Sequence, residues 1–260
     1  MADVLILCYH AVSERWHAPL SITPRALESQ LEFLIRRGYR GATFREAILT
    51  PGPKTLAVTF DDGYRSVTEL ARPILSGLGL PATVFVPTAF AGTPKPTAWP
   101  GTDHWLGGEH EHELAPMSWE ELRALAGQGW EVGSHTRTHP HLTRLDDAGL
   151  HAELEGSRSD CERHLGLPCR SLAYPYGDHD ERVVAAAARA GYETAGTLPG
   201  RLHAPSPLRW PRVGIYNVDR GLRFRLKILP AARRVRASRA AELAERLRGL
   251  PSRFGAGSRD

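Results

Sequence analysis

Cysteine is scarce in this 260-residue chain. Cys8, Cys161 and Cys169 are too few, and odd in number, for a disulfide framework, and such a set fits a reducing compartment. No apolar run approaches the roughly 20 residues that cross a bilayer. The first such run, Val4 to Cys8, follows an aspartate and lacks a basic flank, so it reads as a buried strand rather than a secretory leader. A cytoplasmic location is the expectation. Neither a dinucleotide-type glycine fingerprint nor a phosphate-loop lysine motif is present, which argues against nucleotide binding by either route. No internal repeat is visible, and the 25 glycines and 20 prolines are spread out rather than gathered into a linker.

What is present describes a globular chain, 42% hydrophobic and 24% charged, long enough for one large domain or two small ones. Its net charge of +4 is unevenly placed. Gly221 to Asp260 carries eleven Arg or Lys against three acids, so this segment is +8 and the first 220 residues are −4. A basic segment of this kind suits an anionic membrane surface, a phosphorylated substrate or nucleic acid, and equally a solvated helix face. The expected division is a barrel domain over residues 1–220, a basic helical segment over 221–250 packed on it, and a disordered tail over 251–260.

Strands and helices alternate. Val4 to Tyr9, Thr55 to Phe60, Ala82 to Val86, Gly129 to Gly133, Ser171 to Tyr174, Thr194 to Thr197 and Trp210 to Ile215 read as short apolar strands. Helices are expected from Pro24 to Arg37, around Leu70 to Leu75, from Ser118 to Ala126 with Glu121 completing a capping box, from Asp146 to Leu165 and from Asp180 to Ala190. A long loop, Ala91 to Pro116, interrupts the alternation. The pattern predicts an α/β fold with a parallel sheet buried on both faces. Such folds gather their chemistry at the C-terminal ends of the strands. There the sequence sets His10, the pair Asp61 and Asp62, His135 and His139, the turn Tyr174-Pro175-Tyr176-Gly177, and Arg212.

His135 and His139 are four apart, a spacing that puts both on one face of a helical turn. With a carboxylate from Asp61 or Asp62 they make a two-imidazole, one-carboxylate set, which suits a catalytic divalent ion. The second aspartate is then available to accept a proton from an activated water, and the ion offsets the repulsion between the two carboxylates. Hydrolysis of an acyl bond further needs an acid for the leaving group and a donor for the oxyanion. His10 and the backbone amide of Tyr176 are the candidates.

The segments TFDDG, HTRTH and YPYG, in that order, resemble the polysaccharide deacetylase family, the metal-dependent carbohydrate esterases with a NodB-type domain. The resemblance spans about residues 4–215. It implies a distorted (β/α) barrel of about seven strands, Asp61 as general base, and Asp62, His135 and His139 as metal ligands. Zinc is the expected ion, with cobalt, nickel or manganese as alternatives. The reaction it implies is removal of an acetyl group from an amino sugar. Two features depart from the family pattern. The third motif, LAYPYG, lacks the arginine that orients the catalytic aspartate, and Arg212 is the candidate replacement. The late leucine-x-histidine motif is also absent, His203 being the last histidine. The N-terminal LCYH resembles the poly-N-acetylglucosamine deacetylase branch, in which the acid histidine comes from the first strand, and this supports His10.

In the long loop Trp105 is a candidate for stacking on a sugar, with Tyr176 and Pro175 as further substrate contacts. His110 and His112 suit a solvated loop better than a second metal site. A cytoplasmic enzyme would meet a biosynthetic intermediate, lipid-linked or phosphorylated, rather than finished polymer, and the basic segment would then lie near membrane phosphates. No nucleic-acid partner is expected. The competing readings are hydrolysis of a non-sugar C–N bond in a cyclic amide or ureide, and a non-catalytic carbohydrate-binding protein.

Overall fold

The computed structural model describes residues 2–198 and 205–230. His203, residues 231–250 of the basic segment and the tail 251–260 lie outside the described residues. In chain order the strands are β1 (Asp3–Tyr9), β2 (Ala11–Val12), β3 (Ser21–Ile22), β4 (Arg40–Ala42), β5 (Lys54–Phe60), β6 (Thr83–Val86), β7 (Glu131–Ser134), β8 (Ser171–Ala173), β9 (Thr194–Thr197), β10 (Trp210–Pro211) and β11 (Val213–Gly214). The helices are α1 (Pro24–Ile35), α2 (Phe44–Leu49), α3 (Arg72–Gly77), α4 (Trp119–Gly127), α5 (Asp147–Leu165), α6 (Glu181–Arg189) and α7 (Gly221–Lys227).

The helices begin where the sequence supplies an oxygen for their unpaired amides. Thr23 accepts from the Ala26 amide and is followed by Pro24, which needs no amide partner. Ser118 and Glu121 close a capping box on α4, and Asp146 and Asp180 cap α5 and α6. Each cap contributes about 1 kcal/mol. The strands are apolar on both sides because helices cover the outside and side chains fill the inside. Leu5, Leu7, Leu56, Val58, Val84 and Val132 belong to one buried cluster with Leu27 and Leu31 of α1 and Leu122 and Leu125 of α4. Phe224 and Ile228 join that cluster, so α7 rests on the barrel, with Phe224 edge-on to Phe33 of α1.

The sheet path runs β10-β9-β8-β7-β6-β5-β1-β11, every pair parallel. Its two ends are successive halves of one extended segment. Trp210 and Pro211 pair with Gly196 and Thr197 of β9, while Val213 and Gly214 pair with Leu7 and Cys8 of β1. Arg212 lies between the halves, so the chain itself bridges the edges and the sheet curls into a near-closed α/β barrel. The path counts eight strands, of which β10 and β11, at its two ends, form one stave.

Strand β4 has no counterpart in the sequence reading. It pairs Arg40, Gly41 and Ala42 with Thr55, Leu56 and Ala57 at the start of β5, while β6 pairs with Thr59 and Phe60 at its end. Three residues led by an exposed arginine carry no hydrophobic alternation to read. The loop after β6 contains two short 3-10 turns, Asp103–Trp105 and Glu111–Leu114.

Candidate metal centre and active site

The site lies at the C-terminal ends of β1, β5, β7 and β8 and at the β10–β11 seam. Beyond β5, the Asp61 amide donates to the Tyr9 carbonyl at 3.0 Å, which prolongs the ladder with β1 by one step. The chain then turns through two left-handed residues, Asp62 at φ 69° and Gly63 at φ 62°. Aspartate tolerates this region better than most side chains, and glycine adopts it without strain. The turn sends the adjacent carboxylates to different partners. Asp61 meets Arg212, and Asp62 meets the two histidines.

The guanidinium of Arg212 holds Asp61 in a two-pronged pair, Nη1 to Oδ1 at 2.6 Å and Nη2 to Oδ2 at 2.7 Å. Both side chains are buried. Arg212 also donates to the Thr59 hydroxyl at 3.2 Å, which itself donates to the Leu7 carbonyl at 2.8 Å. Gly196 of β9 makes the room: a β-carbon there would lie 2.6 Å from Arg212 Nε. The Cys8 thiol donates to Asp61 Oδ2 at 3.3 Å. Burial pushes the thiol well up, only partly opposed by Arg212, so it stays protonated. Burial also pushes the Asp61 carboxyl up, but Arg212 and then His135 outweigh it and hold Asp61 well below the usual carboxylate range.

His135 and His139 are not on a helical turn. Thr136 and His139 both have positive φ, 66° and 62°, and the segment is a loop tied by its own side chains. Ser134 Oγ accepts from the Thr136 amide, and Thr136 Oγ1 accepts from the His139 amide at 3.1 Å. From α5, Glu153 accepts from the amides of Arg137 and Thr138 and from the Thr138 hydroxyl. Spacing alone cannot distinguish a helical turn from this clasp, because both bring i and i+4 to one side.

Nε2 of His135 and Nε2 of His139 lie 3.4 and 3.6 Å from Oδ1 of Asp62. These separations exceed an ordinary N–H···O bond. They match the roughly 3.3 to 3.4 Å between ligands placed about 2.0–2.1 Å from one tetrahedral ion. His135 Nδ1 donates to the Ala173 carbonyl at 2.8 Å, which leaves Nε2 facing the centre. In the metal-free protein burial lowers the His135 pKa, but Asp61 and then Asp62 outweigh it and raise the group overall, and a bound ion would take the place of that Nε2 proton. Burial, then His135, lowers the pKa of His139 to about 3, so His139 is in the neutral form that binds metals. Burial raises Asp62, but the facing His135 and the nearby His10 and His139 outweigh it and lower the group overall. The donor set fits a divalent ion. A second cluster, Cys8, His10 and Asp61, fits one poorly, because Asp61 is already neutralised by Arg212 and Cys8 keeps its proton.

His10 follows β1, is 7% exposed, and brings a ring nitrogen within 4.8 Å of the Asp61 and Cys8 ligand atoms. Its ring lies alongside that of Tyr216, centroids 6.5 Å apart. Pro175 is buried, and Tyr176 stands at φ 59° and is 39% exposed. That ring meets His139 edge-on at 4.6 Å and stacks on His141 at 4.1 Å. Burial pushes the Tyr176 phenol up to about 12, so it stays neutral. Trp105 is half-buried, and its ring contacts are with Trp16, His104 and His110. Among the described residues neither His110 nor His112 belongs to a group of potential metal ligands.

Three residues of this site were not assigned to it from the sequence. Cys8 had a signal, since it sits two before His10 at the end of a strand and therefore on the same side. Thr59 has the same relation to Asp61. Trp99 had none. It arrives from the long loop and stacks on His139 with centroids 3.7 Å apart.

Residues 49–195 match the family described as polysaccharide deacetylase. Among curated proteins the chain resembles a chitooligosaccharide deacetylase of Bradyrhizobium sp. (strain ANU 289), 29% identical over 191 residues, covering 72% of this chain and 68% of the relative. It also resembles a poly-beta-1,6-N-acetyl-D-glucosamine N-deacetylase of Staphylococcus aureus (strain MRSA252), 24% identical over 200 residues, covering 72% of this chain and 64% of that one. The chain thus spans about two thirds of the length of the curated relatives it matches. Among solved structures, a polysaccharide deacetylase from Bacillus cereus superposes with TM-score 0.71 at 26% identity, over 87% of this chain and 69% of that one.

Proposed function

The chain belongs to the polysaccharide deacetylase family, and from that premise we propose that it is a metal-dependent amide hydrolase that removes the N-acetyl group from an amino sugar. The observation that carries this reading is the division of two adjacent carboxylates. Asp61 is locked to a buried arginine, and Asp62 is aimed with two imidazoles at one point. A divalent ion, zinc in our reading, would be held by Asp62, His135 and His139 and would polarise the amide carbonyl and acidify a water.

The remaining steps fall to the chain. Asp61, ionised and oriented by Arg212, accepts the proton of the attacking water. The backbone amide of Tyr176 donates to the oxyanion that develops on the carbonyl oxygen. His10, beside Asp61 at the end of β1, gives a proton to the departing amine. The C–N bond breaks, water supplies the new C–O bond, and the products are acetate and the free amino sugar. Tyr176, Pro175 and Trp105 would contact the sugar.

The activities of these relatives favour an N-acetylglucosamine-type acceptor. In our reading the acceptor is a lipid-linked or phosphorylated intermediate met in the cytoplasm. Supporting this, Val218, Leu222, Leu226 and Leu229 are exposed beside Arg220, Arg223 and Arg225. Apolar and basic side chains mixed in this way suit peripheral contact with an anionic membrane. None of the described helices is long and apolar enough to cross one. We retain the division into a barrel over 1–220 and a basic segment after it.

The test is acetate release from N-acetylglucosamine oligomers and from a lipid-linked N-acetylated sugar, with cyclic amides and ureides as competitors. Acetate from either sugar, with no ring opening, supports the proposal. Ring opening without acetate release would replace it with the non-sugar alternative.

A further inference from the structure

Among the described residues, none gives the His139 ring the hydrogen-bonded support that a ligating histidine ordinarily has. Such imidazoles almost always donate their second ring N–H to a carboxylate, a carbonyl or a water, as His135 does to the Ala173 carbonyl. His139 Nδ1 is buried and has no hydrogen-bond partner among the described residues. Its backbone is well fixed, by the bond from its amide to Thr136 Oγ1 and by its left-handed φ of 62°. Neither constraint acts on rotation of the ring about its own Cβ–Cγ bond.

What meets the ring is Trp99. The indole lies nearly parallel to the imidazole, 15° between planes and 3.7 Å between centroids. Tyr176 and His135 also meet it edge-on, at 4.6 and 4.8 Å between centroids. The Trp99 backbone is itself anchored, since its amide donates to Thr102 Oγ1 at 3.2 Å and its carbonyl accepts from the Thr102 amide at 2.9 Å. Phe90 packs edge-on against it. Turning the imidazole would drive its edge into a flat wall already at contact distance. An imidazole that donates its lone pair to a cation becomes electron-poor, and an electron-rich indole face attracts it more strongly. The stack therefore favours the loaded centre over the empty one.

We propose that Trp99 is a positioning residue that fixes the plane of the His139 imidazole by stacking, in place of the missing hydrogen bond. The long loop 91–116 then sets the affinity of the metal centre as well as covering it. The inference rests on the reading of Asp62, His135 and His139 as ligands, and the experiment separates the two.

Metal-stripped wild type, W99L, W99M, W99F and D62N are titrated with zinc against a chromophoric chelator, and cobalt-loaded samples are compared by visible absorption. Thermal unfolding of each stripped protein reports folding independently. W99L and W99M should bind zinc about 10- to 100-fold more weakly than wild type, with altered cobalt bands. W99F keeps a flat face and should recover most of the loss. Methionine fills the volume without a plane, so W99M decides the matter should W99L fail to fold. Wild-type affinity in folded W99M, whatever its melting temperature, overturns the role of Trp99 while weak binding by D62N upholds the metal centre. Wild-type affinity in D62N overturns the metal-centre reading itself.

Discussion

Asp61 and Arg212 are 151 positions apart and form a two-pronged ion pair with contacts of 2.6 and 2.7 Å, both side chains buried. Two parallel N–H···O bonds fix the carboxylate in plane as well as in place, which one ammonium could not do. The pair leaves Asp61 ionised inside the barrel, the state a proton acceptor requires.

Removing the arginine should therefore damage catalysis without emptying the metal centre. R212M is expected to lower kcat by about 10²- to 10⁴-fold, the usual contribution of a well-placed base, with zinc stoichiometry unchanged. R212K should recover little. An unpaired buried carboxylate should also cost about 3–5 kcal/mol of stability. The double variant D61L/R212M should regain much of that stability and none of the activity. Chemical denaturation together with metal analysis checks both halves.

The same pair gives a pH signature. Asp61 is depressed in the folded protein, so in the metal-free protein its pairing contributes stability in full above the unfolded carboxyl value of about 4. That contribution is lost as pH falls through the depressed folded value. In R212M burial is no longer opposed by the guanidinium, and the group takes up its proton at higher pH. The acidic limb of kcat/KM should move upward in R212M. An unmoved limb would mean that Asp61 is not the group that titrates there.

The two aspartates should fail differently. D61N should keep the metal and lose most turnover, whereas D62N, H135A and H139A should lose metal affinity first. Saturating zinc at about 1,000 times its dissociation constant should stabilise wild type and D61N by about 4 kcal/mol, and D62N by far less. A thermal shift in D62N equal to wild type would contradict the assignment.

Gly196 should behave as a silent part of the active site. A β-carbon there would press on Arg212 Nε and Cδ at 2.6 and 2.8 Å, so G196A must push the guanidinium off Asp61 or distort β9. Overpacking of this kind costs about 1–3 kcal/mol. Activity should fall further than stability, with zinc content preserved. Parallel measurement of kcat, zinc content and melting temperature separates this from simple unfolding.

Much of this was legible in the chain because it is local. An apolar strand ending in DDG, a histidine pair and a proline turn each carry their own chemistry, and a parallel α/β fold brings strand ends together without further instruction. What was not legible depends on distant approach. The contact between Trp99 and His139 spans a 40-residue separation through an irregular loop, and nothing in either neighbourhood encodes a stack. The clasp around His135 and His139 was hidden for another reason: the left-handed residues in it are threonine and histidine, not glycine, so the backbone gave no mark of its turn. Strand β4 was too short to show a period.

The seam between β10 and β11 bears on the order in which this protein acquires its competence. The residues we assign to the metal are complete by position 139, long before Arg212 leaves the ribosome. Only when 210–214 enters between β9 and β1 does the guanidinium arrive, and the stave that closes the barrel is the one that orients Asp61. Hydrolysis is thereby tied to completion of the fold.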